Sequence, residues 1–379
     1  MPEMIPETPI SGEDAPARPR QGVAEPPAIG ALKLHHLRCF ARLETEFPST
    51  RVFITGPNAQ GKTSILEAIT LLLRLQSPRT SALKTVIAHG QRGFAVQGQV
   101  GSRLLQFYYG ERRRKLAIDT VEQSGSAEYL RQGAVVFLAN ADLELVQGAA
   151  EKRRRLLDFL ASQCAPGYRE ALRDYTKALK QRNALLRAYP VNWRQVDAFT
   201  PILAREGAIL VAARQALTTQ LAPEAARVQS LISGGAEPPL TLAYQPTAGD
   251  DLERALTEAR PEEARLRQTI VGPHRDDLLL SMNDASLADF ASEGQQRTAA
   301  LALKMAQLNV ITQESGRAPL LLIDDVFGEL DTRRRNALFS LLPPGQHFIT
   351  TTNLEWLDAD RREGAAFYQL QDGVLSNSE

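Results

Sequence analysis

One run of nine residues limits the possible folds of this chain more than any other feature. It reads Gly56-Pro57-Asn58-Ala59-Gln60-Gly61-Lys62-Thr63-Ser64. The run follows an apolar β-type segment, residues 51–55, and precedes apolar residues at helical spacings of three and four. In a G-x-x-x-x-G-K-[ST] loop the glycines let backbone N–H groups face phosphate oxygens, and the following helix adds a favourable dipole. The strand, loop and helix therefore predict a phosphate-binding P-loop.

A pair of carboxylates completes the predicted chemistry. The apolar run at residues 320–323 ends in Asp324 and Asp325. A P-loop ATPase needs an acid at such a strand end to hold the metal's coordination shell. A buried strand followed by an acidic helix cap gives the same pattern, but the P-loop motif favours the ATPase interpretation. We expect ATP and Mg²⁺ as cofactors, with Thr63 and Asp324 as metal ligands, and Lys62, Asp324 and Asp325 as catalytic residues.

The spacing of these motifs indicates a divided domain. Asp324 follows Lys62 by 262 positions (324 − 62), farther than a compact nucleotide-binding domain requires. The predicted fold class is α/β, a P-loop NTPase head of the ABC-ATPase type with a parallel-sheet core and a β-rich subdomain, interrupted by a helical arm. The predicted divisions are a disordered proline-rich tail (1–29), the first part of the ATP-binding lobe (30–145), a mainly helical arm (146–275) and the rest of the head (276–379).

A third motif predicts a dimer. The run Ser292-Glu293-Gly294-Gln295-Gln296-Arg297 resembles the signature of the ABC class. In that class such residues bind the γ-phosphate of ATP held by a partner subunit, so Ser292, Gly294 and Gln295 are candidate nucleotide contacts. The pattern S-x-x-Q is also an ordinary helix capping box, which is the alternative. A D-loop-like segment, residues 328–331, follows the carboxylates, and together the motifs predict an ATP-dependent homodimer with two ATP molecules between its protomers.

Charge and cysteine content limit the class of protein. Lys and Arg total 44, as do Asp and Glu, so any DNA binding must use local patches. Three basic clusters are candidates, although most charge runs are only solvated: residues 112–115, 152–155 and 333–335. Two distant cysteines exclude a zinc ribbon within one chain. The apolar runs are too short for a membrane span. We therefore expect a cytoplasmic protein that does not act at a membrane.

Four segments carry a resemblance to the RecF family over nearly the whole chain beyond about residue 30. They are residues 181–183 (Gln-Arg-Asn), 272–277 (Gly-Pro-His-Arg-Asp-Asp), 292–297 and 323–331. The resemblance implies a DNA-binding recombination mediator that acts in DNA repair and replication after damage, including the SOS response. It implies an ATP-sandwiched dimer on single-strand gaps and single-strand/double-strand junctions, with RecO and RecR as partners in RecA loading. A soluble ABC-type ATPase serving a non-DNA partner is the alternative.

The resemblance also assigns individual residues. Arg38 matches an arginine placed near the nucleotide, although a solvent-facing strand arginine is equally consistent with the pattern. Arg79 and Thr80 match a pair that could couple DNA to the nucleotide, although a helix-ending turn gives the same pattern. Asp325 stands where many relatives have a glutamate that orients water, and its shorter side chain predicts a weak, slow ATPase. Apart from the resemblance, Thr352 is a candidate γ-phosphate sensor because it follows the strand-like run 347–351, and a polar strand end is the alternative.

Two further segments carry weaker signals. No Q-loop glutamine is evident near residues 140–142, where the β-rich lobe meets the arm. The triplet His274-Arg275-Asp276 could suggest hydrolytic chemistry, but no serine or cysteine nucleophile motif accompanies it. We therefore expect a structural or dimer-relay role for the triplet.

Overall fold

The computed structural model describes residues 28–378. Its strands are β1 (Ile29–Leu37), β2 (Phe40–Glu46), β3 (Arg51–Thr55), β4 (Gly93–Val100), β5 (Arg103–Gly110), β6 (Arg114–Ile118), β7 (Val121–Glu122), β8 (Val135–Ala139), β9 (Thr241–Gln245), β10 (Asp277–Met282), β11 (Ala285–Ser286), β12 (Leu320–Asp324), β13 (His347–Thr351), β14 (Ala365–Gln371) and β15 (Val374–Asn377). Residues 1–27 of the predicted tail (1–29) lie outside the described residues, and Ile29 is the first residue of β1.

Thirteen helices are found in the same range. They are α1 (Lys62–Arg74), α2 (Ala127–Leu130), α3 (Glu144–Gln147), α4 (Ala150–Cys164), α5 (Tyr168–Leu186), α6 (Trp193–Asp197), α7 (Thr200–Ser233), α8 (Leu252–Glu258), α9 (Arg260–Leu266), α10 (Leu287–Phe290), α11 (Glu293–Ser315), α12 (Thr332–Ser340) and α13 (Ala359–Arg362), with short 3-10 turns at Leu83–Val86, Asn140–Leu143 and Phe327–Glu329. Among residues 28–378, no helix combines the length and apolar character needed to cross a membrane.

The central sheet is mainly parallel and has the order β15-β14-β3-β13-β12-β8. Strands β3, β12 and β13 are largely buried because both of their faces are covered, as is usual for parallel sheets. In β12, Leu320 and Leu322 contribute to one hydrophobic core, whereas Leu321 and Ile323 contribute to the other. Parallel pairing places the carboxyl ends of β3, β13 and β12 at one edge of the sheet. That edge is where ligands bind in folds of this kind.

Helix α1 is enclosed between the two large sheets. A six-stranded antiparallel sheet, in the order β2-β1-β4-β5-β6-β7, shares one core with α1 and one face of the central sheet. The apolar stripe of α1 includes Ile65, Ile69 and Leu72, all fully buried. Gly98 of β4 lets this helix approach, since a Cβ there would lie 2.5 Å from a methyl carbon of Leu72. The P-loop helix is therefore held from both sides.

The other core joins the central sheet to the helical region. Helix α7 has 34 residues and packs against α5 and α11. A small sheet, in the order β11-β10-β9, also joins this region. The predicted boundary between residues 275 and 276 thus lies between the paired strands β9 and β10.

Buried polar side chains fix the loop between α9 and β10. Arg182 and Glu263 are fully buried and form an ion pair at 2.8 Å. His274 lies between the Tyr175 hydroxyl and the Thr269 carbonyl oxygen, at 2.8 and 3.1 Å. Burial lowers the pKa of His274 to about 4, so its ring is neutral at physiological pH.

Asp276, in the same loop, accepts hydrogen bonds from the Thr247 main-chain N–H at 2.7 Å and from the Tyr244 hydroxyl. The side chains of His274 and Asp276 are therefore engaged in packing the loop between helices and strands. This arrangement fits the structural role expected for the triplet.

The buried pair yields a stability prediction. Glu263→Gln leaves the guanidinium of Arg182 buried without its counter-ion, and removing one partner of such a pair costs about 3–5 kcal/mol. We expect a clear fall in the urea midpoint followed by circular dichroism. Glu262→Gln is the matched control, because Glu262 is adjacent and solvent-exposed and should leave the midpoint nearly unchanged. Equal midpoints for the two variants would contradict the role given to the pair.

Candidate nucleotide-binding site

The loop between β3 and α1 has a backbone that only glycine allows at its two ends. Gly56 and Gly61 have φ of 146° and 107°. A Cβ on Gly56 would lie 2.2 Å from the Leu370 carbonyl oxygen, and one on Gly61 would lie 2.6 Å from the Cys39 sulfur. Helix α1 begins directly after Gly61, so its N-terminus faces the loop. This is the geometry of an anion-binding loop.

The remaining loop residues support this conformation. Ala59 also has a left-handed backbone, with φ of 66°. The side-chain oxygen of Gln60 accepts a hydrogen bond from the Asp372 main-chain N–H at 2.8 Å, which ties the loop to the β14–β15 turn. The Ser64 N–H donates to the Gly61 carbonyl oxygen at 2.9 Å and starts the helical pattern.

Lys62 is held inside the loop. Its ammonium donates to the carbonyl oxygens of Gly56 and Pro57, at 2.5 and 2.9 Å. Burial lowers the pKa of Lys62, whereas the charges of Asp325 and Asp324 oppose that shift. Phosphate oxygens carry more negative charge than carbonyl oxygens and would replace them as stronger acceptors.

The metal-ligand prediction rests on two oxygen-bearing side chains that the fold brings together. The Thr63 hydroxyl donates to both carboxylate oxygens of Asp324, at 3.0 and 2.8 Å, across 261 positions of sequence. Hard oxygen donors suit Mg²⁺, which is usually bound by one or two protein ligands together with substrate phosphates. Within residues 28–378, no group of three or more His, Cys, Asp or Glu residues could hold a metal. The donor set therefore fits Mg²⁺ bound jointly with phosphates.

Asp325 has an unusual backbone conformation. Its φ is 55°, which is uncommon for a residue other than glycine. The Asp325 N–H donates to the carbonyl and hydroxyl oxygens of Thr350, both at 3.1 Å. Its carbonyl oxygen accepts from the Asn140 side chain at 2.8 Å. Burial raises the pKa of Asp325, and the charge of Lys62 opposes this effect.

Sequence reasoning missed two residues at this site. The Thr350 hydroxyl donates to Asp324 at 2.7 Å and thus links the two carboxylate positions. Thr352, the predicted sensor, lies with its main-chain N–H toward the Asp325 carboxylate. The missed signal for Thr350 was its place at the end of β13, which is paired in register with Asp324. Asn140 occupies the segment where no Q-loop glutamine was evident.

The Arg38 side chain is hydrogen-bonded to other residues of the protein. Its guanidinium makes two hydrogen bonds of 2.8 Å to the carboxylate of Glu67, which is fully buried in α1. A third bond, also 2.8 Å, reaches the Thr85 carbonyl oxygen. Arg79 approaches the same carboxylate at 3.8 Å. The β1–β2 turn therefore lies beside the P-loop, while the side chain predicted to meet the nucleotide is engaged with Glu67.

The signature-like run lies at the start of α11. Ser292 and Gln295 form the capping box, with bonds of 3.3 and 2.9 Å. The Arg297 guanidinium donates to the Glu329 carbonyl oxygen at 2.9 Å, which joins this run to the D-loop-like segment. Gly294 faces Arg334, whose nitrogen would lie 3.3 Å from an added Cβ. Within residues 28–378, the hydrogen bonds of this run do not reach the P-loop of the same chain.

Two of the three basic clusters are largely engaged within the chain. In the second, Arg153 pairs with Asp277 through two bonds of 2.7 and 2.8 Å, and Arg154 donates to the Asp276 carbonyl oxygen. In the third, Arg334 forms ion pairs with Asp331 and Glu237. Arg335 donates hydrogen bonds to the carbonyl oxygens of Phe327 and Leu330. The first cluster, on the β5–β6 hairpin, stays the most exposed.

The Arg38 contact yields a prediction that needs no nucleotide. Arg38→Met leaves the Glu67 carboxylate buried without its main partner and should cost about 2 kcal/mol of folding free energy. Adding Glu67→Leu should recover most of that loss, because an apolar pair can replace a buried ion pair. Thermal unfolding without ATP would measure both effects. If Arg38→Met kept full stability but weakened binding of a fluorescent ATP analogue, the nucleotide role would be favoured instead.

Comparison with known proteins places this site in a family. The family model described as the RecF/RecN/SMC N terminal domain matches residues 28–370. The protein named DNA replication and repair protein RecF from Lacticaseibacillus casei is 35% identical, and the match covers 92% of this chain and 100% of that protein. RecF from Bacillus subtilis is 33% identical over 92% of this chain and 99% of that protein.

Solved structures agree with these relatives. A structure described as the recombination mediator protein RecF-ATPrS in the RecFOR pathway has a TM-score of 0.83 and 26% identity, covering 95% of this chain and 100% of that one. An Smc head bound to the C-terminal winged-helix domain of ScpA, at 14% identity and a TM-score of 0.52, shares the fold. The predicted ABC-ATPase head fold is therefore confirmed, and the chain belongs to the RecF family of DNA replication and repair proteins.

Proposed function

We propose that this chain is an ATP-dependent, DNA-binding recombination mediator that acts as a dimer at single-strand gaps and single-strand/double-strand junctions. The observation that carries the proposal is the contact between Thr63 and Asp324, which joins P-loop and strand-end carboxylate across the inserted arm. Solved RecF structures described as RecF-ATP and RecF-ATPrS in the RecFOR pathway support ATP as the ligand. In this proposal residues 30–145 and 276–379 form the head, and residues 146–275 form the arm.

The nucleotide would occupy the loop between β3 and α1. Its phosphates would accept hydrogen bonds from loop N–H groups and from Lys62, whose present partners are main-chain carbonyls. Thr63 and Asp324 would hold Mg²⁺, which when bound neutralises charge on the β- and γ-phosphates. We assign Arg38 an indirect role, since it fixes Glu67 of the helix that begins at the loop.

Hydrolysis would use the chain's own carboxylates. A water oxygen attacks the γ-phosphorus while the bond to the bridging oxygen breaks, and ADP leaves with that electron pair. Asp325 would accept a hydrogen bond from the attacking water, in a backbone position held by Thr350 and Asn140. Because a carboxylate on a short side chain positions water less well than glutamate does, we expect a slow ATPase suited to switching.

The signature-like run would act on the nucleotide of a second copy. Ser292, Gly294 and Gln295 lie at the N-terminus of a 23-residue helix, a position that favours anions. Since their hydrogen bonds do not reach the P-loop of the same chain, a second protomer would bring the two surfaces together. Two ATP molecules would then be enclosed between two heads, which makes dimerisation dependent on ATP.

We infer the DNA and protein partners from the family to which the chain belongs. We propose that the dimer binds gapped DNA and, with RecO and RecR, assists RecA loading during repair and replication restart. The exposed first basic cluster, residues 112–115, supports phosphate contacts because its arginines are mostly not engaged with carboxylates. Both cysteines are free thiols, which fits the reducing cytoplasm.

A measurement of molar mass in solution tests the proposed dimer directly. Light scattering with ATP should show the wild type doubling its mass, whereas Ser292→Arg should stay monomeric because a bulky cation would block the close approach of the second nucleotide. Ser126→Arg is the control, since Ser126 precedes the short helix α2, outside the motif. Binding of a fluorescent ATP analogue should be retained by both variants. A wild type whose mass never changes with ATP would contradict the proposal.

DNA binding is tested by its salt dependence. Reversing Arg112 and Arg113 to glutamate should weaken binding to a gapped duplex and reduce the slope of log affinity against log salt by about 2, since each phosphate that a cation neutralises adds roughly 0.9 to that slope. The control reverses Arg254 and Arg265, exposed arginines of α8 and α9. Fluorescence anisotropy at several salt concentrations measures both slopes. Equal slopes in wild type and the hairpin variant would remove this cluster from the interface.

A further inference from the structure

One end of the helical arm carries an exposed aromatic ring among arginines. The connection between α5 and α7, residues 187–199, contacts α9 and the residue after it at this end. Tyr189 in this connection is 87% exposed. A single exposed ring is common on protein surfaces, so the surroundings of the ring decide whether it has a task.

The Tyr189 ring is held in place by its neighbours. The Arg267 guanidinium lies over it, 5.5 Å from the ring centroid. The same guanidinium donates a hydrogen bond to the Ala188 carbonyl oxygen at 3.0 Å. Arg267 follows α9, which the buried ion pair of Arg182 and Glu263 joins to α5. The ring therefore has a defined position and still exposes most of its area, which lowers the entropy cost of binding a flat ligand.

A second ring repeats this arrangement. The Arg260 guanidinium lies 5.6 Å from the centroid of the Trp193 ring and is paired with Asp197 at 2.8 Å. Arg260 is the first residue of α9, and Arg267 directly follows its last residue. At 1.5 Å per helical residue, the two arginines that contact the rings are roughly 10 Å apart along the helix. Two aromatic rings thus lie on one short stretch of surface.

Three cations at this end of the arm have no carboxylate partner. Arg187 and Arg194 are exposed, and within residues 28–378 neither side chain forms an ion pair or a hydrogen bond. The Arg267 side chain binds only carbonyl oxygens. The exposed arginines of α8 and α9 that serve as controls for the hairpin cluster are, by contrast, paired with glutamates. The positive charge left over therefore belongs to the residues around the two rings.

We propose that an arm-end patch, formed by Arg187, Tyr189, Trp193, Arg194 and Arg267, binds single-stranded DNA. Every base has a π-face that can stack on an aromatic ring, whereas the bases of a duplex are already stacked on one another. The arginines supply phosphate contacts that do not depend on sequence. This inference rests on the proposed function, because it assigns the single-stranded part of a gap to the arm and leaves duplex contacts to the hairpin cluster.

A protein partner is the other class of ligand for such a patch, since aromatic residues and arginine are enriched at protein interfaces. The three cations without carboxylate partners favour a polyanion, because a protein would have to supply an acidic group to match each of them. Binding experiments with an oligonucleotide separate the two classes.

Fluorescence anisotropy with a labelled oligothymidylate tests the rings. Tyr189→Ala should weaken binding about tenfold, equivalent to about 1.4 kcal/mol of lost stacking. Tyr189→Phe should bind like the wild type because it keeps the ring, and both variants should fold because Tyr189 is exposed. Leu231→Ala is the matched control, since Leu231 is exposed near the other end of α7. Affinity for a blunt duplex should be equal in all four proteins.

The salt dependence of the same binding tests the arginines. Replacing Arg187 and Arg194 together by alanine should reduce the slope of log affinity against log salt by about 1.4, because each phosphate neutralised on a single strand adds roughly 0.7. Arg254→Ala is the control, since Arg254 is exposed and paired with Glu258. An unchanged slope in the double variant would remove both arginines from the patch and contradict the proposed phosphate contacts.

Two results with Tyr189→Ala would overturn the single-strand site. Wild-type affinity for oligothymidylate would leave the patch as a contact for a protein partner, and an equal loss for oligothymidylate and duplex would show that the ring does not select single strands. A wild type that binds neither gapped nor single-stranded DNA would instead contradict the proposed function, so the two failures are distinguishable.

Discussion

The hydrogen bonds from the Thr63 hydroxyl to the Asp324 carboxylate are the contact on which the rest of the site depends. They join two chain segments 261 positions apart, and they form only because β3, β13 and β12 lie side by side in parallel. The middle strand supplies Thr350, which binds Asp324 and the Asp325 N–H. The helical arm can be long as long as β12 returns to this sheet, which is why such an insertion is compatible with an intact site.

The structural features that could be predicted from sequence are those determined by interactions between residues close together in the chain. The glycines of the P-loop are required by positive φ and by close contacts, and the apolar run of β12 is required by burial on both faces. Such requirements leave a pattern within ten residues, so the loop, its helix and the strand-end carboxylates could all be located. The capping box at Ser292 also formed as its pattern suggested, although capping alone does not reveal a second role.

The parts that could not be predicted depend on partners distant in sequence. Three adjacent arginines on α4 look alike in the sequence, yet Arg153 binds Asp277, 124 positions away, while Arg155 lines a cavity. The resemblance places Arg38 near the nucleotide, and only the fold shows that a buried glutamate in α1 binds its guanidinium. The sequence shows which charged residues are present, whereas the tertiary fold determines which of them are paired with an opposite charge.

The turn after β8 links the site to the surface expected to meet a second copy. Asn140 binds the Asp325 carbonyl oxygen, and two residues later the partly buried Asp142 lies 3.4 Å from Lys304 of α11. Helix α11 begins at the signature-like run, so one short turn contacts both the backbone of Asp325 and the helix that carries Ser292. The hydrogen bond of Asn140 and the ion pair of Asp142 hold this turn against both Asp325 and α11. The segment in which no Q-loop glutamine is evident thus carries an asparagine that is hydrogen-bonded to Asp325.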